Sequence, residues 1–336
     1  MKTLLIYRHG HAQEYVDTYS AGGDFARELR DKGKRNAQRV GIWLARQSLI
    51  PQRLISSPAT RAKRTAEKTM KTAGCSATMV EQDQRLYLAG LETLLTVVRE
   101  QKDTLQSLML VGHNPGLERI IDYLSDRPLA RNPKGMLLSP AALACIQFDG
   151  SWRSLGQSSV TVKNLLYPRS LPRLFPWPTL QDAETRSRPA YYYKQSSVIP
   201  YRFHMNELQV LIITSSKNRH WVVPKGIHDP GLTAQQSAAK EAFEEAGVLG
   251  EVPRKVNGQA NDISLGSYRY TKWDAECEVT VYPMLVTEQL DPPQWQESHR
   301  QRRWVTVEQA ARQLHNPDVS NIVRQLPEYL GKMKHG

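Results

Sequence analysis

The sequence predicts an α/β protein of two domains joined by a proline-rich spacer. Three observations carry that prediction. Short apolar strands alternate with helical segments through the first half. The second half mixes strand-like runs with two helices. Between the halves, Tyr167 to Pro189 places proline at 168, 172, 176, 178 and 189. Such density excludes regular helix and central strand and suits a semi-rigid linker. The domains therefore read as 1–167 and 189–336, with a linker over 168–188.

In the first half the predicted strands are Leu4–Tyr7, Arg53–Ser56 and Leu108–Val111. Helices are expected over about 25–48, 58–73 and 91–101. That alternation builds a mainly parallel sheet. Ligands of open α/β sheets bind beyond the carboxyl ends of strands, and three such ends carry chemistry here. Arg8-His9-Gly10 follows the first strand, Ser56-Ser57 the second and Gly112-His113 the third. Pro58 is expected at the first position of the next helix, which puts Arg61 in its first turn. A lone histidine after a strand is more often structural. Two histidines and two arginines near strand ends would converge on one pocket.

The second half opens with strand-like VIPYRF and LQVLIITS, and Trp221-Val222-Val223 then runs into the glycine loop Pro224-Lys225-Gly226. A helix is predicted over 233–246, with Thr233 as N-cap, Gln236 completing a capping box and Gly247 as the stop. Glu241, Glu244 and Glu245 share a face of it. Like charges at that spacing cost about 0.2–0.5 kcal/mol per pair, a cost that a divalent cation reverses. A solvated acidic face is the plain alternative. Strand-like YRYT and CEVTVYPMLV and a helix near 307–314 complete a mixed sheet with helices on its faces.

At 40% hydrophobic and 23% charged, the composition is that of an ordinary soluble protein. No apolar run reaches the ~18 residues of a membrane helix, so no membrane partner is expected. The apolar stretch in MKTLLIYRHG is too short for a signal peptide. Cys75, Cys145 and Cys277 lack metal-ligand spacing and make no disulfide framework, which fits a reducing cytoplasm. The net charge is +12, and residues 1–165 hold 24 Lys and Arg against 15 Asp and Glu. A basic first half suits an anionic phosphorylated partner. It lacks the aromatic-studded basic stripe of single-strand binders, so nucleic acid is a minor reading.

Two resemblances sharpen this. Arg8-His9-Gly10, Arg61, Gly112-His113 and the segment LRDKGKRNAQ resemble the histidine phosphatase superfamily over about residues 1–165. The resemblance implies a three-layer α/β fold with no metal requirement. His9 is the implied nucleophile, forming a phosphohistidine, while Arg8, Arg61 and His113 stabilise the transferring phosphoryl oxygens. Where related branches place a general-acid Glu after an Arg-Leu pair, this chain has Arg85-Leu86-Tyr87-Leu88, with Glu81 and Asp83 nearby. The acid-poor form looks most like the SixA-type phosphohistidine phosphatases.

Gly226 and Lys240-Glu241-Ala242-Phe243-Glu244-Glu245-Ala246-Gly247-Val248 resemble the Nudix signature. Leu232 stands where that signature has its first Glu. Lys240 replaces its Arg, keeping the charge but losing the bidentate fork. The resemblance implies an α/β/α fold on a mixed sheet. It also implies Mg²⁺ or Mn²⁺ held by Glu241, Glu245 and the Gly226 carbonyl, with Glu244 as ligand or catalytic base. KQSSVIPYR, WVVPKG and HRQRRW look similar to diphosphoinositol and diadenosine polyphosphate hydrolases. They nominate Lys194, Arg202, Lys225, Arg300, Arg302 and Arg303 as a polyanion clamp, although ordinary surface charge explains each one singly. The expected activity is a bifunctional phosphohydrolase. Two other readings stand beside it: a phosphohistidine-protein phosphatase with a nucleotide-sensing module, and a non-enzymatic polyphosphate or RNA binder.

Overall fold

The computed structural model describes residues 1–14, 23–157, 159–253, 263–292 and 294–334. The chain divides into two compact units, Met1–Phe175 with Leu180–Asp182, and Pro176–Thr179 with Ala183–Gly336. The division falls inside the proline-rich stretch. That stretch carries only one short 3₁₀ turn, Pro168–Ser170, and the two-residue strands β7 (Phe175–Pro176) and β8 (Thr185–Arg186).

The strands of the first unit are β1 (Lys2–Arg8), β2 (Arg53–Ser56), β3 (Val80–Gln82), β4 (Ser107–Gly112), β5 (Leu143–Phe148) and β6 (Thr161–Leu166). Its helices are α1 (Asp31–Arg46), α2 (Thr60–Thr72), α3 (Leu91–Arg99) and α4 (Gly116–Leu124). The sheet runs β3-β2-β4-β1-β5-β6, parallel from β3 to β1 and antiparallel beyond. Side chains alternate across a strand, and the two cores follow that rule. Leu5 and Tyr7 pack with Val40, Leu44, Ala62, Ala66 and Met70 of α1 and α2. Leu4 and Ile6 pack with Leu94, Val98, Leu117 and Ile121 of α3 and α4. The unit is thus the three-layer α/β fold expected.

Two helix starts are corrected. The helix expected from residue 25 begins at Asp31, behind a separate 3₁₀ turn at Gly23–Ala26. Pro58 lies ahead of α2, which begins at Thr60 with Ala59 as N-cap. There the Ser57 hydroxyl accepts the Ala59 N–H at 3.3 Å, a local turn that delays the helix.

The second unit is a mixed sheet of β9 (Lys194–His204), β10 (Glu207–Thr214), β11 (Trp221–Val222), β12 (Lys225–Ile227), β13 (Val248–Glu251), β14 (Gly266–Lys272), β15 (Ala275–Gln289) and β16 (Arg302–Thr306). Strands β9 and β15 are parallel, and the other pairs are antiparallel. On one face Leu211, Ile213 and Met284 meet Ala238 of α5 (Ala234–Glu241). On the other, Val210, Ile212 and Val281 meet α6 (Val307–Gln313), α7 (Pro317–Arg324) and the start of α8 (Leu326–Lys334). The capping box on Thr233 and Gln236 forms as read. One helix was expected over 233–246, but its last turn, Ala242–Ala246, is π-helical and ends on Gly247 at φ 60°. Among the described residues no helix is long and apolar enough to cross a membrane.

Candidate functional site

Each unit builds its own site. In the first, parallel register sets three strand ends level: Arg8 lies opposite Gly112, and Ser56 opposite Val111. The His9 N–H donates to the Gly112 carbonyl at 3.1 Å, and the Ser57 N–H to that of Val111 at 2.8 Å. The sheet therefore delivers His9, Ser57 and His113 to one place.

Hydrogen bonds fix both histidine tautomers. His9 Nδ1 donates to the Gly10 carbonyl at 2.8 Å, which leaves Nε2 as a lone pair 3.4 Å from Arg61 Nε. His113 Nδ1 accepts from Arg61 Nη2 at 3.3 Å, so its Nε2 carries the proton given to Ser57 Oγ at 2.8 Å. Burial, aided by the charges of Arg61 and Arg8, outweighs the Gly10 bond and lowers the His9 ring to about 4. Burial and the charges of His9 and Arg61 lower His113 to about 3. Both rings are neutral at pH 7, as a nucleophile and a hydrogen-bond donor require. Arg61 is only 3% exposed. Arg8 Nη1 donates to the Leu138 carbonyl at 2.6 Å, while its Nε is buried without a partner among the described residues. A buried guanidinium N–H left open beside an uncharged imidazole is a place for an anionic oxygen.

Sequence reasoning missed Asp24 and Tyr87 as parts of this site and gave Ser57 only as a strand end. Asp24 Oδ2 accepts from Arg61 Nη2 at 2.8 Å and from the Tyr87 hydroxyl at 2.9 Å. Asp24 lies just ahead of the helix expected over 25–48, in a stretch given no role; Gly22-Gly23 in the sequence was the available turn signal. Leu88 is 58% exposed at φ 51°. Glu81 is paired with Arg53 and Asp83 with Arg85, at 2.7 and 2.8 Å.

In the second unit, β12 carries Gly226 against α5. A Cβ there would overlap the Glu241 carboxyl, which would have to swing away from the backbone. Burial first, then the neighbouring Glu245 and Glu244, pushes the Glu241 carboxyl up to about 8. No described residue donates it a hydrogen bond. A crowded carboxylate against a glycine backbone is the donor set a hard divalent cation fits.

The three glutamates do not, however, gather as one open cluster. Glu245 accepts from Arg300 Nη2 at 2.6 Å and from the Lys225 N–H at 3.1 Å. Glu244 accepts from Lys240 Nζ at 2.8 Å and from Gln296 at 3.3 Å. Among the described residues no three His, Cys, Asp or Glu side chains stand close enough to hold a metal. With only protein charges present, like carboxylates separate onto cations, and Glu241 alone stays open. Lys240 also reaches Asp229 at 3.4 Å.

The six proposed clamp residues have mostly internal partners. Arg300, 8% exposed, is held by Glu245, Glu297 and the Thr214 carbonyl. Arg302 donates to the carbonyls of Ala246, Gly247 and Leu290. Arg202 binds Gln209 and stacks on Trp304, and Arg303 stacks on Trp221. Lys194 is exposed on β9. Lys225 Nζ meets Gln195 and the Tyr270 hydroxyl at 3.3 and 3.1 Å. It borders an apolar cavity of about 180 Å³ lined by Trp221, Tyr268, Tyr270, Leu314 and His315.

Comparison with known proteins agrees with both resemblances. Residues 195–326 match the NUDIX domain model, and residues 4–87 match that of the histidine phosphatase superfamily, branch 1. Nudix hydrolase 17, mitochondrial, of Arabidopsis thaliana is 37% identical over 33% of this chain, which spans 61% of that relative's length. Diphosphoinositol polyphosphate phosphohydrolase 3-beta of Bos taurus is 30% identical over 44% of this chain and 82% of its own. The solved protein histidine phosphatase SixA complexed with tungstate is 19% identical, covering 50% of this chain and 97% of that one, with a TM-score of 0.40.

Proposed function

We propose that this chain, which belongs to the Nudix family and carries a histidine phosphatase domain ahead of its Nudix domain, is a bifunctional cytoplasmic phosphohydrolase. We assign 1–167 to the phosphatase, 168–188 to the linker and 189–336 to the Nudix hydrolase. The observation that carries the first activity is the His9 Nε2 lone pair, held 3.4 Å from the buried Arg61. Attack by Nε2 on a phosphoryl group forms an N–P bond and breaks the bond to the leaving atom. The ring then keeps its Nδ1 proton on the Gly10 carbonyl, which makes the phosphohistidine readily hydrolysed. Arg61, the open Nε of Arg8 and His113 receive the transferring oxygens. No step of this calls for a metal. Its substrate is an anionic phosphorylated small molecule or the phosphohistidine of a protein.

The second activity is hydrolysis of a phosphoanhydride. Glu241, Glu245 and the Gly226 carbonyl would hold Mg²⁺ or Mn²⁺, which supplies Lewis-acid polarisation and a more acidic water. Glu244 completes the set as ligand or base, and Lys240 braces it. Substrates with a base or an inositol phosphate at the far end both fit the family. The aromatic cavity beside Lys225, with arginines engaged internally, favours a nucleoside polyphosphate over an inositol pyrophosphate. A panel on the full-length protein tests this: diadenosine tetraphosphate, an inositol pyrophosphate, aryl phosphate and phosphohistidine, each with and without Mg²⁺. Metal-dependent cleavage of the dinucleotide and metal-independent cleavage of the aryl phosphate are expected. No turnover of any anhydride would refute the Nudix half of the proposal.

A further inference from the structure

We propose that Asp24 carries the proton in both half-reactions at the His9 site. The inference rests on the phosphatase reading above. Position 88, where related branches place their acid, is an exposed leucine, and Glu81 and Asp83 are committed to Arg53 and Arg85. Asp24 is instead inside the site. Arg61 gives Nη2 to its Oδ2 at 2.8 Å and Nη1 to its backbone carbonyl at 2.5 Å, while Arg61 Nε points to the attacking nitrogen. The carboxylate thus lies one guanidinium away from His9. Its other neighbours are Arg27 Nη1 at 2.8 Å and the Tyr87 hydroxyl, whose ring packs edge-on to His113 with centroids 5.5 Å apart. The Asp24 side chain is 33% exposed, so a leaving group can meet it and depart.

Before substrate binds, the carboxylate is ionised. Burial alone would raise it, but hydrogen bonds from Arg27, Tyr87 and Arg61 hold it at about 2. A phosphoryl dianion arriving among Arg61, Arg8 and His113 claims the same guanidinium and adds negative charge beside it. Both changes favour a proton on Asp24, drawn from solvent in each turnover. His9 Nε2 then bonds to phosphorus, the bond to the leaving oxygen breaks, and that oxygen takes the Asp24 proton. In the second half-reaction a water oxygen bonds to phosphorus and its proton goes to the Asp24 carboxylate. The N–P bond breaks, and its electron pair returns to Nε2. Phosphate leaves, and Asp24 returns its proton to solvent until the next phosphoryl group arrives.

The test uses full-length wild type, Asp24→Asn and Asp24→Glu, with 4-nitrophenyl phosphate, less acidic aryl phosphates and ethyl phosphate. A general acid contributes about 10²–10⁴-fold. Asp24→Asn should therefore lower kcat/KM by at least about 10²-fold on ethyl phosphate and under about 10-fold on 4-nitrophenyl phosphate, steepening the leaving-group dependence. It should also show a burst of nitrophenol equal to the enzyme concentration, because the second half-reaction has lost its base. Asp24→Glu should recover much of the ethyl phosphate activity. An equal loss on every substrate would make Asp24 only a support for Arg61, and no loss or a gain would make it a bystander or a plug; each overturns the proposal. Should Asp24→Asn fail to fold, the wild-type dependence decides: a shallow one sustains the proposal and a steep one ends it. His9→Ala separates the two levels, since turnover that survives it sinks the phosphatase reading itself.

Discussion

His9 shows how one side chain's surroundings set a pH profile. Its ring is lowered from 6.5 to about 4 by burial, with help from Arg61 and Arg8. The ring proposed as nucleophile therefore stays neutral into acid, and kcat/KM on 4-nitrophenyl phosphate, whose leaving group departs without a proton, should stay level from neutrality to about pH 5 and fall below about pH 4. A rate that halves near the ordinary histidine value would contradict this. The same shift acts on stability. Between about 4 and 6.5 the unfolded chain binds a proton at this position that the folded chain refuses. Stability of the first unit should thus decline as pH drops through that window, with nothing gained above it. Thermal melts across the range read it directly. Gly226 is the corresponding residue of the second candidate site. Gly226→Ala makes the Glu241 carboxyl swing away and should cost about 10–100-fold in anhydride hydrolysis, the usual effect of disturbing a ligand's support. Activity titrated against Mg²⁺ checks it, and an unchanged titration would remove Gly226 from the site.

At the scale of elements, the helix that carries the glutamates ends in an unusual way. The pattern of alanines, cap and stop was legible from Thr233 to Gly247. The π-helical turn at Ala242–Ala246 was not, because its i→i+5 bonding leaves no signature in apolar periodicity. Its stop is a left-handed residue packed on Trp295, where any Cβ would overlap the indole. Gly247→Ala should therefore destabilise by more than the about 1–2 kcal/mol of the left-handed backbone alone. Thr233→Ala, which removes the cap bond to Gln236, should cost about 1 kcal/mol. Denaturant melts of both variants test the ranking, and an equal or reversed order would refute the Trp295 contact. The strand ends of the first sheet were legible for a simpler reason. Parallel register needs only three apolar runs to bring their carboxyl ends level, and the histidines follow those runs directly.

For the whole molecule, two chemistries on two units should separate cleanly. EDTA should abolish anhydride hydrolysis and spare aryl phosphate hydrolysis. Glu241→Gln should reproduce the first effect, and His9→Ala the opposite one, in the otherwise intact chain. Loss of both activities with either variant would overturn the division of labour. The excess of Lys and Arg in residues 1–165 adds a further outcome. KM for a charged phosphate ester at the first site should rise with ionic strength as exposed charges are screened.

The sequence by itself determined the two-unit plan, the parallel and mixed sheets, and the placing of His9 and His113 at strand ends with Arg61 in the first turn of the next helix. Those features follow from period, spacing and strand-end position, which are local properties of the chain. Only the tertiary structure decided what each charged group touches. Arg300 reads as a free cation at the surface, yet it is buried against Glu245. Asp24 drew no reading from the sequence, yet it is hydrogen-bonded to an arginine 37 positions away in sequence. Long polar side chains choose partners by proximity in the folded chain, because an ion left unpaired on burial costs more than any local preference can supply.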